Sequence, residues 1–254
     1  MCGHGVAGRT LQSAAAGGNL EHLTKLGSSR GYRRAMSWLR NNGLTIVLLV
    51  LTALSLWGMA LAGLQVENSN LAEHGAPTAD LWSYLFSGSF ASAVFENWES
   101  EFLQMSFYVV LTAFLFQRGS SESKDPHGDE EVDEDPASKQ RDKRTPWPVR
   151  AGGLWMWLYS YSLGIVLVAL FLASFVAHWL GSAVAANEEA AVHGQAPATL
   201  IEHLFSAQLW FESFQNWQSE FLSTAVIVVL SIFLRFRYSP ESKPVAAPHD
   251  RTGS

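Results

Sequence analysis

Four apolar runs, arranged in two pairs, dominate the pattern of hydrophobic and polar positions along this chain. The first and third runs, residues 44–62 and 154–180, are long enough to cross the roughly 30 Å hydrocarbon core of a bilayer as helices of about 20 residues. The second and fourth runs, residues 102–116 and 221–234, are shorter, and each follows a polar motif. The pattern predicts an all-α integral membrane protein with four transmembrane helices.

The two pairs of runs correspond to each other when the sequence is shifted by 119 residues. Residues 97–103, Asn-Trp-Glu-Ser-Glu-Phe-Leu, recur as residues 216–222, Asn-Trp-Gln-Ser-Glu-Phe-Leu. The correspondence continues without a gap from about residue 68 to residue 124, a length that is typical of an internal duplication. We therefore predict two duplicated helical hairpins.

The composition of the remaining segments predicts how the two repeats are joined. Gly, Ala and Ser dominate the N-terminus, and dense mixed charge fills the centre, so neither segment can form an apolar core. We interpret the centre as a solvated tether, with a docking site for a cationic partner as the alternative. The predicted segments are a disordered extension at residues 1–36, a first repeat at 37–118, a charged cytoplasmic linker at 119–150, a second repeat at 151–238 and a disordered tail at 239–254.

The start of the first apolar run allows two further interpretations. Met36 lies shortly before the run, so the natural product could begin there. The run also ends in a small-x-small pattern at residues 60–62, which is typical of a cleaved signal peptide. Its apolar core exceeds the usual length of about 7 to 15 residues, so we expect a retained membrane anchor.

The basic residues predict the orientation of the chain in the membrane. All 17 Lys and Arg residues lie up to residue 40, in residues 118–150 or in residues 235–251. The connections at residues 63–101 and 181–220 contain none. Because basic loops stay on the cytoplasmic side, we predict that both termini and the linker are cytoplasmic.

Composition and motifs argue against several classes of function. The net charge of −6 gives no indication of a basic surface, so we expect no nucleic-acid partner. A single cysteine, Cys2, rules out an internal disulfide and a cysteine-based zinc or iron–sulfur site. No nucleotide-binding glycine pattern, nucleophile elbow or zinc-protease helix occurs, so we expect no enzyme and no small-molecule substrate.

Histidines do not predict a cofactor either. His178 is the only histidine within the apolar runs, whereas a haem bundle needs facing histidines, which disfavours a redox protein. His74 and His193 occupy corresponding loops, and each precedes a glycine. A turn explains that pattern better than a metal site, so we expect no metal and no cofactor.

A polar stripe precedes and enters each of the shorter runs. Asn97 and Glu101 share one helix face, and Asn216 and Glu220 are their counterparts in the second repeat. Pairing the repeats around a pseudo-twofold axis would bring the two carboxylates together, which suggests a cation or proton site formed by these four residues. In the competing interpretation, which we favour, the acids accept backbone hydrogen bonds near helix N-termini.

Two repeated motifs carry a resemblance to a known family. They are the Asn-Trp-x-Ser-Glu-Phe-Leu motif at residues 97–103 and 216–222, and the Arg-x-Ser-x-Glu-Ser-Lys motif at residues 118–124 and 237–243. In these motifs the chain resembles a family of uncharacterised bacterial integral membrane proteins classed as a domain of unknown function. The resemblance covers about residues 37–247. It implies a multi-pass protein of the bacterial cytoplasmic (inner) membrane, and it brings no activity or ligand.

Together these observations favour a non-enzymatic envelope protein with a structural, assembly or stress-related role, and with the lipid bilayer as its partner. The alternative is a small proton or cation channel or carrier that uses Glu101 and Glu220. Four helices leave little room for a pore, so this alternative implies a homo-oligomer.

Overall fold

The computed structural model describes residues 36–128 and 130–253, which contain helices and no strand. The predicted extension at residues 1–36 therefore lies almost wholly outside the described residues. From residue 43 onwards the α-helices are α1 (Gly43–Glu73), α2 (Leu81–Leu85), α3 (Gly88–Phe114), α4 (Trp147–Ala151), α5 (Gly153–Ser160), α6 (Ser162–Val192), α7 (Leu200–Leu204) and α8 (Ala207–Phe233). Two 3-10 turns, Glu131–Asp133 and Pro136–Lys139, interrupt the charged linker.

The bounds of α6, α7 and α8 equal those of α1, α2 and α3 shifted by 119 residues. Side-chain caps set several of these starts. Ser87 accepts a hydrogen bond from Phe90 N at the start of α3, and Ser206 accepts one from Leu209 N at the start of α8. Asp80 caps α2, and its hydrogen bond from Ser83 N lowers the pKa of this carboxyl.

Three of the described helices, rather than the predicted four, are long and apolar enough to cross a membrane. They are α1, α6 and the α7–α8 stretch Leu200–Phe233. The prediction of a fourth span was wrong at α3, because Glu96, Glu99 and Glu101 lie within it and make it too polar. The placement of both termini on the cytoplasmic side stays a prediction.

The described chain divides after Gly63 into two compact units, so that the break falls within α1. In the second unit, which begins at Leu64, helices α3, α6 and α8 form a bundle. The α3 helix runs antiparallel to α6, since a Cβ at Gly88 would meet Val184 and a Cβ at Gly164 would meet Val110. It runs parallel to α8, because Glu96 contacts Asn216 and Gln104 donates to Thr224.

Two glycines allow α3 and α6 to approach closely. A Cβ added to Gly181 on α6 would lie 2.6 Å from the backbone nitrogen of Ser92 on α3. One added to Gly88 would lie 2.7 Å from the carbonyl oxygen of Gly181. Small residues at such crossings let helix backbones pack directly, as is common in membrane bundles.

The C-terminal segment packs against the ends of α3 and α8, and the disorder expected for residues 239–254 stays a prediction. Lys243 is only 1% exposed, and its ammonium donates to the carbonyl oxygens of Gly119, His249 (3.0 Å) and Arg251 (2.9 Å). Thr252 accepts a hydrogen bond from Gly119 N at 3.0 Å. These hydrogen bonds connect the described part of the C-terminal segment to the turn that follows α3.

Replacing Lys243 with methionine should lower the free energy of unfolding by about 2 to 3 kcal/mol, because three carbonyls lose a charged donor. Lys139→Met is the matched control. Lys139 is 61% exposed and pairs with Glu134 at the surface, so its loss should leave the free energy of unfolding nearly unchanged. SDS titration of both variants in mixed micelles measures the difference, and equal effects would contradict the role of Lys243.

Candidate functional site

A histidine held between two carboxylates lies inside the α3–α6–α8 bundle. The Nδ1 atom of His178 on α6 is 2.8 Å from Oε2 of Glu99 on α3. Its Nε2 atom is 3.2 Å from Oε2 of Glu212 on α8. His178 and Glu99 are both 0% exposed, and the Glu212 side chain is 21% exposed. Each helix of the bundle thus supplies one ionisable group, and we call these three residues the carboxylate–imidazole cluster.

Hydrogen bonds extend the cluster towards the end of the bundle that carries α7. Ser182 donates to Glu212 at 2.9 Å, and the buried His203 of α7 lies 3.0 Å from the Ser182 hydroxyl. The exposed Gln208 donates to the other oxygen of Glu212 at 2.7 Å. Glu212 is therefore the member of the cluster that reaches the surface.

The opposite side of the cluster is closed by aromatic side chains. The indole Nε1 of Trp217 donates to Oε1 of Glu99 at 2.9 Å, so both oxygens of this carboxylate are bonded. The Trp217 ring contacts Phe171 and Trp210, with ring centroids 6.1 Å and 6.3 Å away. This shell excludes water from Glu99 and strengthens the interactions of its charge.

Helical periodicity brings His178 to this position. On α6 the buried residues Ser174, His178, Gly181 and Ser182 recur at spacings that place them on one face. That face meets α3 where Gly181 permits close contact, so a short distance separates His178 from Glu99. The same packing that removes the ionisable groups from lipid therefore assembles the cluster.

The chemistry that this geometry supports is proton exchange. An imidazole can accept a proton at one ring nitrogen and release one from the other, while carboxylates on both sides serve as donor and acceptor. Among the described residues, no group of three or more His, Cys, Asp or Glu side chains is arranged to hold a metal ion.

The structure distributes the four residues predicted from the sequence over different contacts. Glu101 and Glu220 lie on neighbouring helices, close enough for their charges to interact, with Glu101 exposed and Glu220 half-buried. The amide of Asn97 bonds to the carbonyl of Ala93 in its own helix, and the amide of Asn216 bonds to Glu96. The two amides thus do not join the two carboxylates, and an ion site at these four residues remains a prediction.

The loop histidines are close to each other in the structure. The rings of His74 and His193 lie edge to face with centroids 5.6 Å apart, and both side chains are exposed. Gly75 and Gly194, which follow them, adopt left-handed backbone conformations just beyond α1 and α6. Such a glycine is the usual way to end a helix.

Sequence reasoning noted His178 but did not find its partners. A usable indication lies in the positions where the two halves differ. The counterparts of His178, Glu99 and Glu212 at the 119-residue shift are Met59, Gln218 and Ala93, none of which is ionisable. Each residue of the cluster therefore occurs in only one half of the chain. The ion site predicted from the sequence, in contrast, consists of residues that both halves share.

Comparison with known proteins adds a family and no activity. One family matches residues 35–254, and its description is a domain of unknown function (DUF6766). No curated protein and no solved structure matches the chain.

Proposed function

This chain belongs to the DUF6766 family, whose function is unknown, and we propose from its geometry that it is a non-enzymatic membrane protein that conducts protons. In this proposal the carboxylate–imidazole cluster holds the proton in transit. The two halves arose by duplication, and the proton site formed where they diverged. We place the protein in the bacterial cytoplasmic membrane, with the bilayer as its partner.

The observation that carries the proposal is the complete burial of His178 and Glu99, the first on a helix long and apolar enough to cross a membrane and the second on the helix packed against it. Ionisable groups at membrane depth are costly and commonly mark proton or ion pathways. A purely structural contact between α3 and α6 would need no third ionisable group. Here the imidazole also contacts Glu212, and the partly exposed side chain of Glu212 connects the cluster to solvent.

Proton transfer through the cluster requires no other reactant. Glu212 takes a proton from water at the α7 end and passes it to Nε2 of His178. The imidazolium then releases its Nδ1 proton to Oε2 of Glu99, and the ring returns to its first tautomer by rotation or exchange. The net result is the movement of one proton from Glu212 to Glu99.

Polar side chains continue from Glu99 towards the linker end of the bundle. Gln104 lies five residues further along α3, about 8 Å at 1.5 Å per residue, and donates to Thr224 of α8. Tyr108 lies one turn further and donates to Glu122. In this proposal these groups supply the second half of the route.

Proton flux into liposomes containing the purified protein tests this proposal. With a pH-sensitive dye inside and a potassium diffusion potential as the driving force, the wild-type protein should acidify the lumen. His178→Gln should reduce the rate of proton influx by at least about tenfold. A positioned general acid or base typically accelerates proton transfer by about 10²- to 10⁴-fold.

Controls separate the two candidate sites and the two candidate functions. The double variant Glu101→Gln/Glu220→Gln should retain wild-type flux if the carboxylate–imidazole cluster is the site, and should lose it if the predicted carboxylate pair is. Circular dichroism and gel filtration confirm that each variant is folded. A wild-type protein that gives no more proton flux than empty liposomes would contradict the proposal. The envelope structural, assembly or stress-related role would then be the favoured function.

A further inference from the structure

A large cavity lies between α3 and α6 at the end of the bundle that carries the charged linker. Its volume is about 1380 Å³, which exceeds the roughly 300 to 1,000 Å³ of pockets for drug-sized ligands. The cavity is lined by no residue of the carboxylate–imidazole cluster, although Glu122 of the proposed proton route lies on its rim. An occupant of this size that lies beside α6, which is long and apolar enough to span a membrane, would be a lipid.

The floor of the cavity is apolar. It is formed by Val109, Val110 and Ala113 from the last turns of α3 and by Leu163 and Ile165 from the first turns of α6. Gly164 lies between the last two and leaves the wall open, with only Val110 near the position of a Cβ. Two helices that diverge around an apolar groove provide the contact surface that an acyl chain requires.

The rim of the cavity is polar and carries more acid than base. Glu122, Glu130 and Asp133 line it, together with a single base, Lys124. Lys124 pairs with Asp133 at 2.6 Å and lies over the ring of Phe116. Glu130 uses Oε1 to accept a hydrogen bond from Asp125 N, and among the described residues no donor contacts its Oε2. The rim therefore attracts a cationic group.

Aromatic side chains place this rim at a membrane–water interface. Tyr161 lines the cavity, and the exposed Trp155 and Trp157 precede it on α5. Exposed tryptophan and tyrosine are enriched where the hydrocarbon core meets the headgroups. The apolar floor then lies at acyl-chain depth and the acidic rim at headgroup depth.

From these observations we propose that the cavity binds one phospholipid with an ethanolamine headgroup. Its acyl chain lies on the floor between α3 and α6, its ammonium pairs with Glu130 and Asp133, and its phosphate lies near Lys124. A phosphatidylglycerol offers the same chains and phosphate but no ammonium, so the acidic rim discriminates against it. This proposal shares Glu122 with the proposed proton route, but lipid retention can be measured without proton flux.

Native mass spectrometry of the full-length protein provides the test. Delipidated protein is incubated with equimolar phosphatidylethanolamine and phosphatidylglycerol that have identical acyl chains. The lipid that stays bound is identified by its mass. We expect one ethanolamine lipid per chain and a preference of about fivefold, the size of one partly exposed ion pair. Glu130→Gln keeps the hydrogen bond from Asp125 N but should abolish the preference.

Two further variants make the result decisive. Glu131→Gln removes the neighbouring exposed acid, which does not line the cavity, and should leave the preference unchanged. Gly164→Trp fills the floor and should prevent retention of either lipid. Retention of no lipid, equal retention of both lipids by the wild-type protein, or an unchanged preference in Glu130→Gln would overturn the proposal.

Discussion

Gly181→Ala should lower the free energy of unfolding by about 1 to 3 kcal/mol, the typical cost of overpacking. Gly164→Ala on the same helix should raise the free energy of unfolding by up to about 1 kcal/mol, because alanine favours a helix over glycine. The opposite signs follow from what each new methyl group meets. At position 181 it would lie 2.6 Å from the backbone nitrogen of Ser92, and a backbone atom cannot move without displacing α3. At position 164 it would lie 3.9 Å from Val110, an ordinary contact.

SDS titration in mixed micelles measures both stabilities on one scale. Proton flux gives a second readout, because separating α3 from α6 lengthens the distance from Glu99 to His178. We expect Gly181→Ala to lose both stability and flux, and Gly164→Ala to lose neither. Similar stabilities for the two variants would show that α3 and α6 are not in close contact.

Glu99→Leu should destabilise the bundle by about 3 to 5 kcal/mol, the usual consequence of breaking a buried ionic pair. Both oxygens of Glu99 accept hydrogen bonds, from the imidazole of His178 and from the indole of Trp217. Leucine has a similar size but accepts neither, so two buried donors from two other helices lose their partner. This loss is the largest that we expect from a single substitution.

Glu101→Leu provides the matched control for this prediction. Glu101 lies two residues further along the same helix, is exposed and makes no side-chain hydrogen bond within the described residues. Its replacement should change stability by less than about 0.5 kcal/mol. Tryptophan fluorescence during denaturation measures the stability of both variants. If Glu99→Leu were as stable as Glu101→Leu, the cluster would contribute little to the fold.

The sequence predicted the all-helical fold because uninterrupted apolar runs have few other stable structures. It was less informative about α3. The apolar run at residues 102–116 suggested a short span that follows a polar motif, whereas the helix begins at Gly88, capped by Ser87. The first turns of α3 are polar and small because they pack on α6, and that tertiary contact is not visible in local hydropathy.

The candidate site was still harder to predict, for a related reason. Glu99 and His178 are 79 residues apart, and no local pattern connects them. Within the repeated motif we chose Glu101, which occurs in both halves, over Glu99, which is replaced by Gln218 in the second. The structure buries Glu99 and exposes Glu101, so the residue that the halves do not share is the one that the fold encloses.

The protonation state of His178 in the membrane tests the central claim most directly. Solid-state ¹⁵N NMR of protein labelled at histidine, reconstituted in bilayers, resolves neutral from protonated imidazole, and the His178→Gln variant assigns the signal. A proton-conducting cluster predicts that His178 changes between these two states from about pH 5 to pH 9, and that Glu99→Gln moves the transition. An imidazole that keeps one state across this range would contradict proton conduction and leave the cluster as a structural contact.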